Sequence, residues 1–369
     1  MYYKGKWCTA GGKDPLFGHV DGFQIDPNYS IEYLKSGLSV NTHVGCGLGC
    51  SYCILTTSIN QFPHHPICIN SAKTIYEQIT SNNSLFVNGL TPVYVNNRTD
   101  PFLPSVIEQT YEVLKLFSIH KISSPIILIS KLAPDYRFAE YCQRLNILFF
   151  YTYSGLTGLD YNSNNNINGK NLASISENVP FKNRYHYLRP LIPGYNDSIS
   201  KIDSILELMG NKFRATVAGG IRINNDNAET FGIAKYDRQH KLFPHATWAM
   251  VLNIAKKRSL TVLRHTSCAI AVHMEAPNKL LYFNNPHHCV MQSCANYEHC
   301  AHRYAINRTL IEQLIQQNTS SHFAWNEDSE IIFAEPVEQE LIAFLKSTYG
   351  LSVKAPQIIL SPSEQYITK

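Results

Sequence analysis

The stretch Thr42-His43-Val44-Gly45-Cys46-Gly47-Leu48-Gly49-Cys50-Ser51-Tyr52-Cys53 holds three cysteines in the spacing CxxxCxxC, directly after an apolar run ending near Thr42. Four thiolates saturate the irons of an iron-sulfur cube, whereas three leave one iron open to an outside ligand. Gly45, Gly47 and Gly49 let the backbone wrap closely and aim N–H groups at the sulfurs. The competing reading is a structural zinc loop with His43 as a fourth ligand. Such sites usually join two separated pairs of ligands, and here three thiols fall in one short segment at a strand end.

Outward from this loop the chain alternates short β-branched runs with helical patterns, the mark of strand-helix units and a parallel sheet. Strands are predicted over Leu38–Thr42, Pro92–Asn96, Ile126–Ser130, Leu148–Tyr153, Tyr187–Ile192, Ala215–Ile221 and Leu260–Arg264. Helices are predicted over Ser71–Ser81, Pro104–Leu116, Asp135–Leu145, Ser200–Gly210 and Thr247–Arg258. The fold class is α/β, a partial (β/α) TIM-type barrel with a C-terminal cysteine-rich extension. The expected division is an N-terminal extension over 1–37, the barrel over 38–265, a cysteine-rich segment over 266–303 and a C-terminal α/β extension over 304–369. Asn162–Ser176, rich in Asn, Ser and Gly, reads as a flexible surface loop.

At the cysteine loop the residues resemble the radical S-adenosylmethionine superfamily, whose motif is the same triple cysteine with an aromatic residue before the last, here Tyr52. The resemblance implies a [4Fe-4S] cluster on Cys46, Cys50 and Cys53, with S-adenosylmethionine chelating the open iron. It also implies reductive cleavage to a 5′-deoxyadenosyl radical that abstracts a hydrogen atom from a substrate. The Gly-Gly-Glu stretch common after the second strand is replaced by Asn96-Asn97-Arg98-Thr99-Asp100-Pro101-Phe102. That segment, with Ile129-Ser130-Lys131 and Arg189-Pro190-Leu191-Ile192-Pro193-Gly194-Tyr195-Asn196-Asp197, is similar to the spore photoproduct lyase-like branch. It implies that Thr99 and Lys131 bind the cofactor carboxylate, which suits an ammonium and a hydroxyl. Tyr52 would pack near the adenine and Asp100 would shape the pocket. Arg189 and Ser154 are further cofactor candidates at strand ends, and Arg222 a weaker one. The repair members of that branch keep a hydrogen-donating cysteine just before the same Asp. Here Asn96, Asn97 and Arg98 supply no thiol, which argues against repair of thymine photoproducts.

Beyond the barrel, Cys268, Cys289, Cys294 and Cys300 form a plausible four-thiolate set for an auxiliary [4Fe-4S] cluster. The alternative is a zinc ribbon using Cys289, Cys294, Cys300 and one of His287, His288, His299 or His302. Cys8, Cys68 and Cys142 stand alone, Cys142 as a small buried residue on a helix.

Composition narrows the partners. The chain of 369 residues carries 32 basic and 28 acidic residues, a net charge of +4 that permits a polyanionic partner without demanding one. No apolar run approaches the roughly 18 residues of a membrane helix, and the start lacks a secretory layout, so a cytoplasmic protein is expected. Seven of the ten cysteines cluster, a pattern of metal ligation in a reducing compartment rather than of disulfides. The expected partners are a small-molecule, peptide or nucleotide substrate and a reductant such as flavodoxin or ferredoxin, with no membrane. A nucleic-acid or nucleotide modifier and a zinc-stabilised binding module without catalysis are the rival functions.

Overall fold

Strands apolar on both faces need cover on both, and in this chain helices cover one face of an open sheet while the other face buries a side-chain cluster of its own. The structure, a computed structural model, describes residues 30–356 apart from 35–36, 54, 56–63, 82–84, 164, 223–228, 234–240, 279–293, 295–296, 302–305 and 327–328. Strand β1 (Ile31–Leu34) pairs antiparallel with β2 (Gly37–Val40), Ile31 opposite Val40. The short strands β3 (His43–Val44) and β4 (Ile67–Cys68) make a separate ribbon beside the cysteine loop. From β2 the sheet runs parallel through β5 (Val93–Val95), β6 (Ile126–Ser130), β7 (Ile147–Thr152), β8 (Arg184–Leu191) and β9 (Ala215–Arg222). Strand β10 (Lys241–Leu242) pairs antiparallel with β9, and β11 (Val262–Leu263) pairs parallel with it.

Each parallel step is crossed by a helix: α1 (Ala72–Ile79), α2 (Ile107–Ile119), α3 (Phe138–Arg144), α4 (Asn165–Asn178), α5 (Ile199–Met209) and α6 (His245–Lys257). The strand period divides the apolar residues into two layers. Along β7, Ile147, Phe149 and Tyr151 join the helix-side core. Leu148 and Phe150 join Tyr94, Ile127, Tyr185, Val217 and Leu263 in a second core that fills the barrel interior. A plugged interior leaves the strand carboxyl ends as the place for a site.

The structure corrects three expectations. From Asn165 the Asn-rich segment is not a loop but helix α4, because its few apolar residues fall at helical spacing: Leu172 and Ile175 are buried in the helix-side core, with Val179 just past the helix end. Its Asn side chains serve as hydrogen-bonding groups, with Asn168 Oδ1 accepting from Tyr151 OH at 2.8 Å and Asn171 Nδ2 donating to the Lys131 carbonyl at 3.0 Å. The sheet also begins before residue 38, at β1. Cys268 lies on a helix, α7 (Thr266–Met274), rather than at a strand end, and Cys300 lies on the short α8 (Tyr297–Ala301).

After the barrel come α9 (Arg308–Asn318), β12 (Phe323–Asn326), β13 (Glu330–Phe333), α10 (Gln339–Tyr349) and β14 (Ser352–Lys354), the strands forming one three-stranded sheet. Helix α10 docks against β1 and β2, where Phe344 meets Tyr33 edge-on with ring centroids 6.2 Å apart.

Glu340, in the first turn of α10, is buried, and desolvation lifts its carboxyl to about 7 from 4.5. A raised acid binds its proton more tightly in the folded chain, so stability falls as pH rises from about 4.5 to about 7 and stays lower above. Glu340→Gln removes that loss. Urea unfolding is expected to show the variant ~2–3 kcal/mol more stable than wild type at pH 8 and equal to it at pH 4.

Candidate active site

The cysteine loop is held at the sheet's carboxyl end by backbone and amide hydrogen bonds. Asn96 Oδ1 accepts from Thr42 N at 2.8 Å and Thr42 Oγ1 at 3.0 Å, and the Arg98 carbonyl accepts from Gly45 N at 3.1 Å. Further along, Ser51 N and Oγ both donate to the Leu159 carbonyl, at 3.3 and 3.1 Å. Gly45 (φ 103°) and Gly49 (φ 64°) adopt backbone angles that side-chain-bearing residues avoid, so the loop's path depends on them. His43, weighed as a zinc ligand, is buried on β3 with Nδ1 2.9 Å from Thr42 Oγ1, and burial lowers its pKa.

Cys46, Cys50 and Cys53 are electrostatic neighbours: a charge on Cys53 raises both of the others. Burial is the larger cause, lifting the Cys46 thiol to about 11 and the Cys50 thiol to about 12. Both are therefore neutral thiols at pH 7 until a metal takes the place of the proton. Among the described residues no group of three or more His, Cys, Asp or Glu side chains is drawn together as ligands of one metal ion.

The other sequence candidates meet on a residue that the sequence reading missed. Asp160, in the segment after β7, has a side chain only 1% exposed. Its Oδ1 takes the Lys131 ammonium at 2.7 Å and the Cys50 thiol at 3.6 Å. Its Oδ2 accepts from Tyr52 OH at 2.7 Å and Ser154 Oγ at 3.3 Å. Lys131 Nζ also donates to Tyr52 OH and sits 5.1 Å from the centre of that ring. Burial first, and the Asp160 carboxylate second, push the Tyr52 phenol upward, so it stays a donor. One carboxylate thus joins the cysteine loop to the ends of β6 and β7. Its sequence signal is slight, an Asp in a strand-end loop with no motif around it.

Thr99 and Asp100 divide the roles expected of them. Asp100 is saturated internally: Oδ1 accepts from Ser130 Oγ at 2.7 Å and Phe102 N at 3.0 Å, and Oδ2 from Lys131 N at 2.8 Å. It therefore shapes the pocket by fixing the backbone of Lys131, and burial still raises its carboxyl against those hydrogen bonds. Thr99 Oγ1, by contrast, is buried and makes no hydrogen bond among the described residues. A buried hydroxyl without a partner is costly, and a ligand oxygen would satisfy it.

An apolar wall stands beside Tyr52, made of Leu156, Ile192, Ile221 and Phe231, all buried. The turn after β8 is pinned to it by Asn196, whose Nδ2 donates to the Ser154 and Pro190 carbonyls at 2.7 and 2.9 Å. Arg189 lies on the inner face of β8 and donates to Tyr187 OH, apart from the Asp160 group. Arg222 ends β9, and burial lowers it to about 10.

In the second cysteine group, Asn278 Nδ2 donates to Cys268 Sγ at 3.2 Å and Asn278 N to Cys300 Sγ at 3.4 Å. Cys294 and Cys268 both pack on the inner core. Cys289 and the histidines His287, His288 and His302 lie outside the described residues, as does Cys8.

No family model matches the chain, and no curated protein matches it in sequence. Some solved structures align with part of it at low identity. Spore photoproduct lyase complexed with dinucleoside spore photoproduct is 10% identical over 65% of this chain and 84% of that chain, with a TM-score of 0.47. Streptococcus suis SuiB bound to S-adenosylmethionine is 12% identical over 66% of this chain and 54% of that chain, with a TM-score of 0.43. Among the described residues no helix is long and apolar enough to cross a membrane.

Proposed function

We propose that the chain is a radical S-adenosylmethionine enzyme whose CxxxCxxC loop carries a [4Fe-4S] cluster at the mouth of a partial barrel. The observation that supports this most is the convergence of Cys50, Tyr52, Lys131 and Ser154 on the buried Asp160 at the strand carboxyl ends. Cys46, Cys50 and Cys53 would hold the cluster, and the donor set fits it: three thiols, two of them kept neutral by burial and ready to exchange protons for metal. When bound and reduced, the cluster and S-adenosylmethionine supply a 5′-deoxyadenosyl radical that removes a hydrogen atom from the substrate.

The chain's own groups do the rest. Thr99 Oγ1 offers an unsatisfied buried hydroxyl, and Lys131 an ammonium, to the cofactor carboxylate. Asp160 holds Lys131 and Tyr52 in place before anything docks, which lowers the ordering cost of binding. Leu156, Ile192, Ile221 and Phe231 keep water from the space beside Tyr52.

A second, auxiliary [4Fe-4S] cluster is supported by Cys268 and Cys300 meeting at Asn278, with Cys294 on the same core and Cys289 as the fourth thiolate. A zinc ribbon from the same segment is the alternative, and iron, sulfide and zinc analysis separates the two. The substrate class is a small molecule, peptide or nucleotide, and electrons come from a flavodoxin- or ferredoxin-like donor. The test is anaerobic reconstitution, reduction with S-adenosylmethionine, and chromatography for 5′-deoxyadenosine. Its formation by wild type and its absence from Cys50→Ser is the expected result; no 5′-deoxyadenosine from an iron-loaded wild type would overturn the proposal.

A further inference from the structure

Two cations around the barrel mouth already face a carboxylate of the chain. Arg98 pairs with Glu32 at 2.8 Å and Lys131 with Asp160 at 2.7 Å. Arg189 differs: among the described residues it has no carboxylate partner and a single hydrogen bond, from Nη1 to Tyr187 OH.

Its seat is nonetheless built from three sides. The strand period puts Arg189 on the inner face of β8, one step beyond Tyr187 and two beyond Tyr185, which plugs the barrel. The guanidinium carbon lies 4.9 Å from the centre of the Tyr187 ring, and Tyr187 OH is braced by Thr266 Oγ1 at 3.1 Å. On the neighbouring strand β9, Gly219 leaves the room. A Cβ there would fall 2.7 Å from Arg189 Nε and 2.9 Å from Cδ, so the side chain lies directly across the glycine backbone.

A guanidinium has five N–H donors in a rigid fork matched to two oxygens of one anion. Held half-buried with most donors unused, it gains most from an incoming oxyanion. We propose that Arg189 is the anion-binding residue of the substrate cavity, taking a carboxylate or phosphate group of the substrate rather than the cofactor. The cofactor carboxylate has its own partners at Thr99 and Lys131, at the ends of β5 and β6, whereas Arg189 stands on β8 with β7 between. The assignment to a substrate rests on the mouth being the active site; the seat itself is formed by the barrel alone.

The test is phenylglyoxal modification of the reconstituted protein, with Arg189 followed by peptide mass spectrometry in the presence of inorganic phosphate, acetate or S-adenosylmethionine. Phosphate or acetate is expected to slow modification of Arg189, while S-adenosylmethionine leaves it unchanged. Protection by phosphate alone marks a phosphoryl ligand and by acetate alone a carboxylate, and either result supports the site. Protection only by S-adenosylmethionine, or by none of the three, overturns it. Arg189→Gln should weaken phosphate or acetate binding, read by line broadening of the ligand's NMR signal, about tenfold or more. Gly219→Ala should abolish protection by displacing the guanidinium, and if it does not fold, the wild-type result still decides. Protection in a protein that makes no 5′-deoxyadenosine would remove the proposed function and leave the anion site; the reverse would remove the site alone.

Discussion

Replacing Asp160 by alanine should destabilise the folded chain by about 3–5 kcal/mol and abolish S-adenosylmethionine binding, measured by urea unfolding and equilibrium dialysis. Much of the stability loss comes from what remains. The Lys131 ammonium, 11% exposed, loses its counter-charge, and Tyr52 OH and Ser154 Oγ lose their acceptor. Replacing both partners by apolar residues of similar size, Lys131→Met with Asp160→Leu, should recover most of the stability, because a buried ion pair is offset by the desolvation of its own charges. Cofactor binding should not return. A double variant that regains folding without binding would show that the Lys131–Asp160 pair serves the cofactor and not the fold alone. A double variant that binds as wild type does would show that the Asp160 hub is only part of the scaffold.

Arg98→Met is the second large effect. Glu32 and Arg98 are both nearly inaccessible, and Arg98 Nε and Nη2 grip the carboxylate at 2.8–3.1 Å. Burial pulls the Glu32 carboxyl upward and the guanidinium pulls it down, with burial the larger. Removing the guanidinium leaves a buried acid alone, which should cost about 3–5 kcal/mol in urea unfolding, and Glu32→Leu in the same chain should restore most of it. This ion pair also accounts for an arginine at position 98. The position just before Thr99 is spent on tying β1 to the turn after β5 that carries Thr99, and its carbonyl anchors Gly45 of the cysteine loop.

Much of the barrel was legible because parallel strands buried on both faces are short runs of Val, Ile and aromatic residues, as in Ile126–Ser130 and Ile147–Thr152, and helices between them follow the 3.6 period. Asn165–Asn178 was not, because an Asn-rich composition signals turns while only Leu172, Ile175 and Val179 mark the buried face. The edge strand Ile31–Leu34 escaped notice because it is short and precedes the alternation. At the site, the cysteine spacing, Thr99 and Lys131 were readable as motif positions, and the roles given to them are proposals. Asp160 was not, since its importance lies in four partners that come from three separate strand-end segments and meet only in the folded chain.

The most direct measurement is electron paramagnetic resonance of the anaerobically reconstituted, reduced protein before and after adding S-adenosylmethionine. A cluster signal that changes shape with the cofactor and is lost in Cys50→Ser is the expected result, with about four irons per chain for that loop. A chain that takes up zinc without iron, or a cluster signal indifferent to S-adenosylmethionine, would contradict it.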